Sequence, residues 1–412
     1  MKKISILGLC FLTVASVSAQ KNVVKEAERA TTIKDARTII APALTNPETA
    51  NDVYTWYVAG KKEFGHYDDQ YAKMAIGKKD IDQKEMGLAL INGYEYYMKA
   101  LPLDSVPETE KDGTPKLNKD GSVKVKTKYS KEIVNAISGH FNDFLNAGQF
   151  LYDAKDFTGA AKAWGIYTQL PYNEQLGKAK PVAPADSTMG QVIYYQGVAA
   201  WQGEDLPGAL SAFERAIALN YKEKNLYDYA MSVAAQLKND EKVVAIAKRA
   251  DELYGKEDSK YISIVINDLI IKENYSDAMS LLETAINNNP TNAQLYNVMG
   301  VLYESQKDQD KAYEYYKKAL ELDPATAKHS YDVGRIIYIK AATISEGASN
   351  LDQAAYTKIH DEQVAPLLKE ALPHLQKAYS LDEDNTDYKQ LLRRLYYDLN
   401  MGAELEQLER GY

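Results

Sequence analysis

A neutral-pH acid, base or metal ligand in this chain would have to be built from five histidines: His66, His140, His329, His360 and His374. None pairs with another at i, i+4 and none sits in an HExxH arrangement. The spacing that sets two imidazoles on one helix face around zinc is therefore missing. Gly60, Gly77, Gly177 and Gly255 each precede a lysine, yet no glycine stands five residues earlier and no Ser or Thr follows, so there is no phosphate-cradling loop. Neither GxGxxG nor GxSxG occurs. The acidic run LDEDNTDY at 381–388 lacks the glycine at which a calcium loop turns, and reads as a solvated turn. NKDGS at 118–122 reads as a hairpin turn before it reads as a metal site. These absences predict a chain that is not an enzyme and that carries no cofactor and no metal.

The first residues are MKKISILGLCFLTVASVSAQK. Two lysines precede an apolar run from Ile4 to Val17, and Val17-Ser18-Ala19 offers a small-residue cleavage site before Gln20. Residues 1–19 thus read as a secretory signal, since a membrane span would need about 20 apolar residues. The sole cysteine, Cys10, lies inside it, and the large Leu9 before it disfavours a lipid anchor. The expected location is exported, periplasmic or secreted. Past residue 19 the chain holds 47 basic and 58 acidic residues, a net charge of −11, which argues against nucleic acid as a partner. At 45% hydrophobic and 26% charged, the chain is neither disordered nor membranous in bulk. It has 32 Tyr against 7 Phe and 3 Trp. Tyrosine buries a ring and keeps a wet hydroxyl, so this bias suits a half-exposed surface.

What would position such a surface is a pattern of side-chain size. With residue 293 as position 1 of a frame of about 34 residues, Tyr296 falls at position 4, Met299 at 7, Gly300 at 8 and Tyr303 at 11. Ala312 follows at 20, Tyr316 at 24, Ala319 at 27 and Pro324 at 32. The frame propagates upstream. Unit 259–292 gives Ile262, Ile266, Leu269, Ala278, Leu282, Ala285 and Pro290, and unit 224–257 gives Tyr227, Met231, Ala234, Val243, Ala247, Ala250 and Gly255. Unit 190–223 gives Ile193, Gly197, Ala200, Ala209, Phe213 and Ala216. Unit 141–174 gives Phe144, Gly148, Leu151, Ala160, Trp164 and Tyr167. The pattern resembles the tetratricopeptide (TPR) repeat at all eight signature positions of 293–326.

That resemblance implies an all-α fold, a right-handed superhelical solenoid of antiparallel helix pairs. Small residues at positions 8 and 20 would let the two helices of a unit approach, and Pro324 would end the second helix. No helix of about 14 residues is stable alone, so stacking of unit on unit must supply the stability. The expected organisation is a signal at 1–19, N-terminal helices and a divergent unit at 20–104, a flap at 105–131 and a unit at 141–174. Four contiguous units then fill 190–326, a unit split by an insertion fills 327–385, and a capping unit fills 386–412. In the divergent unit, Trp56 to Gly60 opens the first helix and GYEYYMKALPLD at 93–104 is the second, with an insertion at 65–85. The flap, 111–131, carries two Asp-Gly turns and alternates Val123, Val125, Thr127 and Tyr129 with lysines, which predicts a small β-hairpin. Its lysines guard an exposed edge or engage an anionic partner. Residues 172–188 read as an irregular loop.

In the family, positions 2, 5, 6, 9, 12 and 13 of each first helix face a concave groove, and the resemblance carries that over here. The groove would be lined by amides and tyrosines, with Tyr194, Tyr195, Trp201 and Tyr229 as its affinity centre. Asn225, Asn267 and Asn297 would orient an extended segment, and Tyr331 and Arg335 would extend the groove. The lysine and asparagine pattern of the family's carboxylate-clamp subgroup is not reproduced. The expected function is a non-catalytic scaffold that binds peptide or protein segments, without nucleic acid and without a membrane span. Alternatives are a structural or assembly component of a cell-envelope or secretion complex, or a glycan-binding or hydrolytic envelope protein.

Overall fold

The computed structural model describes residues 22–410; the expected signal, 1–19, lies outside them. Among the described residues the fold is all-α, and the only named strands form one two-stranded pair. The chain divides into two compact units, residues 1–239 and 240–412.

In the first unit a helical stretch at 22–29 and the helix Ile33–Thr45 precede a long antiparallel pair, Val53–Ala75 and Gln83–Leu103. The insertion expected at 65–85 does not form a separate loop. It lengthens both helices of the divergent pair instead, leaving only residues 76–82 to turn. Two further pairs follow, Phe141–Asp153 with Phe157–Gln169 and Asp186–Gln202 with Leu206–Ala218. The second helix of the former packs on the first helix of the latter, and Lys224–Gln236 packs on Leu206–Ala218. Residues 172–188 are more regular than expected, with 3₁₀ turns at Leu170–Tyr172 and Glu174–Ala179 that seat Leu176 in the core.

The flap is not a simple hairpin. Its stem pairs Val106–Pro107 antiparallel with Val125–Lys126, and its tip divides into two smaller hairpins. Glu108, Lys116 and Lys124 stand eight residues apart and close a ring of backbone hydrogen bonds. The Lys116 N–H donates to the Glu108 carbonyl (2.8 Å), Lys124 to Lys116 (2.7 Å) and Glu108 to Lys124 (2.8 Å). Each small hairpin turns on an Asp-Gly, where the aspartate accepts from the backbone and hydroxyl of the residue two ahead: Asp112 from Thr114, Asp120 from Ser122. The three-armed shape explains why the alternation at 123–128 buries neither face, and only Tyr129, stacked on Tyr57 at 4.3 Å, returns to the core. The buried Asp104 anchors the return, accepting N–H bonds from Lys128, Tyr129 and Ser130 at 2.6–3.0 Å. Burial alone would raise the Asp104 carboxyl, but the Ser130 hydroxyl at 2.7 Å and the three converging amides favour its charged form and hold it below the usual range.

The second unit repeats the helix-pair plan with Lys260–Ile271 and Tyr275–Asn288, then Ala293–Ser305 and Gln309–Leu322. The split pair follows: Ala327–Gly347 packs on Ala365–Leu381. Its extra residues lengthen the first helix and add Gln353–Ile359 and a π turn, His360–Val364, that runs straight into the second helix. Thr386–Asp398 and Gly402–Arg410 close the unit.

Close approach within the pairs explains the size pattern. A Cβ added at Gly300 would sit 2.5 Å from the Tyr316 ring, and one at Gly197 would sit 2.5 Å from the Phe213 ring. The same overlap joins Gly148 to Trp164 and Gly60 to Tyr97, so positions 8 and 24 face each other across four helix pairs. In four of the helix pairs the chain turns between the two helices through a left-handed residue that is not glycine: Lys155, Glu204, Glu273 and Lys307. The next residue then caps the second helix, as Asp156, Asp205, Asn274 and Asp308 do.

Candidate functional site

In the first unit the structure gathers four of the nominated residues. Tyr194 and Tyr195 lie side by side on Asp186–Gln202, with rings 5.3 Å apart. Trp201 follows two turns later on the same helix, and Tyr229 stands on Lys224–Gln236. Tyr194 stacks on Tyr229 (6.3 Å, 7° between planes), and Trp201 meets Tyr229 at 5.3 Å. The stripe continues the other way through Trp164, 6.1 Å from Tyr195, to Tyr152, 5.8 Å from Trp164. Aromatic side chains therefore run across the first helices of three consecutive units, 141–153, 186–202 and 224–236.

The members do not share one role. Tyr195 is 45% exposed, whereas Tyr194 is 9% exposed and also contacts Phe213 and Tyr221. Burial pushes the Tyr194 phenol well above its ordinary range. Tyr194 is thus a support beneath the surface rather than a contact residue, which corrects its place in the expected affinity centre. Trp201 and Tyr229 are half-buried and present an edge. Asn225, one turn before Tyr229, is exposed, as are Asn142, Asn146, Gln149 and Gln191 on the earlier first helices. The surface offers ring edges at its centre and amides around it.

The second unit holds a different arrangement. Asn297, expected to face a ligand, is 1% exposed and donates to Asp332 (2.7 Å). Lys328 donates to the same Asp332 oxygen at 2.8 Å. Arg335 forks onto Glu304 with bonds of 2.6 and 2.7 Å, and Tyr316 donates to Glu304 at 2.6 Å. Burial alone would raise the Glu304 carboxyl, but its bonds from Arg335 and Tyr316 hold it below the ordinary range. Each cation here already has an anion, so Asn297 and Arg335 lock neighbouring first helices together. Tyr331 rests on Tyr388 at 4.6 Å and is half-buried. Asn267 is exposed on Lys260–Ile271, apart from this network.

Tyr152 occupies a groove position and Trp164 the large position 24, and both lie outside the expected affinity centre. Their role follows from Gly148, whose missing side chain brings the Trp164 ring over its helix and toward Tyr195. Among the described residues no cluster of three His, Cys, Asp or Glu is placed to hold a metal, and no helix is long and apolar enough to cross a membrane.

The tetratricopeptide-repeat family model matches residues 293–325. A curated relative, the photosystem I assembly protein Ycf3 of Acaryochloris marina, is 35% identical over 81 residues, which are 20% of this chain and 46% of that protein. The chain thus spans under half of that relative's length. Among solved structures, the TPR protein YrrB, described as having an unusual peptide-binding site, superposes with a TM-score of 0.33 at 17% identity, over 48% of this chain and 93% of that one. A TPR repeats protein of Bacteroides fragilis gives 0.31 at 18% identity, over 62% and 98%. The human IFIT1 dimer with PPP-AAAA gives 0.37 at 13% identity, over 68% and 62%. The matched unit supplies Gly300 and Tyr316, and the same glycine-to-aromatic contact recurs in helix pairs of the first compact unit. Residues 293–325 are thus a tetratricopeptide repeat, and the recurring glycine-to-aromatic pair is the feature that three other helix pairs share with it.

Proposed function

We propose that the chain is a non-catalytic interaction scaffold that binds an extended peptide or protein segment on the aromatic stripe of its first compact unit. The observation that carries the reading is the continuous contact from Tyr152 through Trp164, Tyr195 and Tyr194 to Tyr229 and Trp201, which places ring edges on three successive first helices. Rigid aromatic side chains give contact area at low entropic cost, and the flanking amides pair with a peptide backbone. The reading extends to location: residues 1–19 act as an export signal, and the protein works in the periplasm or outside the cell. N-terminal sequencing of the purified native protein should then begin at Gln20.

Selection from a displayed peptide library tests the binding claim. A selected peptide should bind Tyr195→Ala and Tyr229→Ala about tenfold more weakly or worse, with the helical melting curve of Tyr195→Ala unchanged. Equal affinity for wild type and both variants would remove the stripe from the account.

A second reading is a fixed component or assembly factor of an envelope or secretion complex. The exposed three-armed flap supports it, because repeat stacking does not require that element. The relative Ycf3 is itself an assembly protein. A stoichiometric partner lost on deletion of 106–126 would favour this reading over exchangeable peptides.

A further inference from the structure

The insertion that splits the repeat in the second compact unit builds a cleft that repeat packing does not need. Ala327–Gly347 has 21 residues where the preceding first helix, Ala293–Ser305, has 13. Its added turns carry Ser345 and Glu346, and Gln353–Ile359 with the π turn His360–Val364 folds back along them. A π turn spaces its residues unlike an α-helix and recurs at functional sites. The resulting cavity, about 480 Å³, is walled on its far side by Asp398 of Thr386–Asp398. Its volume lies in the range of small-ligand sites.

The lining sorts into two layers. Ala341, Val364 and Leu368 are buried and form an apolar floor. Above it the Tyr338 hydroxyl donates to the Asp398 carboxylate at 2.7 Å, and the Ser345 and Tyr356 hydroxyls meet at 3.1 Å. The Tyr356 ring lies against the His360 imidazole, 6.2 Å between centroids and 28° between planes. No lysine or arginine lines the cavity. Glu346 reaches the rim exposed and, among the described residues, forms no ion pair. The contrast with the Glu304 network in the same unit is direct: there each carboxylate has its cation, and here two carboxylates have none among the groups that line the space.

That asymmetry selects a chemistry. Arg394, one turn before Asp398, acts on Tyr338 from outside the lining. An anion in the cleft would therefore meet Glu346 and Asp398 with no cation among the lining groups, and a purely apolar ligand would strip them of water for nothing in return. A cation on a short aliphatic stem would satisfy both layers, with the stem on the floor and the charge among carboxylates, hydroxyls and tyrosine faces. We propose that this cleft binds an organic cation, an ammonium or guanidinium group on a short aliphatic stem. Such a group reaches it as the basic side chain of a partner polypeptide or as a free small amine.

The test titrates the full chain by NMR or calorimetry with N-acetyl-arginine amide, N-acetyl-lysine amide and agmatine. N-acetyl-citrulline amide serves as the uncharged isostere and methyl glucoside as a neutral polyol. The cations should bind, and the citrulline analogue should bind about tenfold more weakly or not at all. Glu346→Gln and Asp398→Asn should each weaken cation binding by a similar factor. Glu346 is exposed, so its variant should melt like wild type and keeps the test decisive even if Asp398→Asn unfolds. Preference for the capped amino acids over agmatine would identify a polypeptide side chain as the source, and the reverse a free amine; both uphold the site. Equal binding of arginine and citrulline analogues, cation binding unchanged in Glu346→Gln, or binding of methyl glucoside alone would overturn it.

Discussion

At Gly300 the function of the residue is to have no side chain. The fully buried Tyr316 ring occupies that space and passes its hydroxyl on to Glu304, which Arg335 then grips from the next unit. Gly300→Ala should cost about 1–3 kcal/mol in denaturant unfolding, because a fully buried ring has no room to yield. Tyr316→Leu in the same chain should recover part of that loss, a coupling that a double-mutant cycle measures. Glu304 supplies a pH signature. Its folded value lies below its unfolded one, so its contribution is full above the ordinary carboxylate range of about 4.3 and is lost as the pH falls through the lower folded value. Glu304→Gln should therefore be less stable at neutral pH and lose less stability on acidification; parallel acid-denaturation slopes for the two proteins would contradict this. The glycine-to-aromatic pairing was legible in the sequence because size recurs at a fixed spacing. The difference between neighbouring Tyr194 and Tyr195 was not, since one step around a helix moves a side chain from the core to the surface. Nor was Asn297, whose burial depends on an aspartate 35 residues away in the chain.

At the scale of elements, the turn inside four of the helix pairs reveals a signal that the size frame leaves out. Glu273 and Lys307, and likewise Lys155 and Glu204, hold the left-handed conformation that glycine accepts most easily, and an Asp or Asn cap follows each. The Lys or Glu before an Asp or Asn is inconspicuous, because neither lysine nor glutamate announces a turn. Lys307→Gly should keep the fold and shift stability by no more than about 1 kcal/mol in either direction, as relief of strain offsets chain entropy. Lys307→Val should lose more than that, since a β-branched residue disfavours this backbone. The flap teaches a related lesson. Two Asp-Gly turns pointed to a hairpin, but their eight-residue spacing also lets Glu108, Lys116 and Lys124 close a backbone ring, a tertiary event that alternation cannot show. Asp104→Ala should leave the helix pairs intact while speeding amide exchange at Lys128, Tyr129 and Ser130, which lose their acceptor. Unchanged protection there would mean that the flap return is held by something else.

At the scale of the whole molecule, two compact units carry one kind of packing and two kinds of surface. The first sets its aromatic stripe between amides, and the second ties its first helices with paired charges and opens a carboxylate-rimmed cleft beside the π turn. The recurrence of the unit was legible from spacing, and its class from the resemblance that the spaced residues carry. The surfaces were not, because exposure is fixed by which neighbouring unit covers each face. Insertions were legible as breaks in the frame, but the long helices at 53–103 and the cleft at 338–398 came only from how the added residues pack. Photo-crosslinking tests the central claim most directly. Benzoyl-phenylalanine placed at Tyr195 and Tyr229 in the native host should join one extended segment of one polypeptide, mapped by mass spectrometry. The same group at Val182, which is 88% exposed away from the stripe's ring contacts, should not capture that segment. Capture of that segment at Val182 as readily as at Tyr195, or no product at either stripe position, would contradict the account.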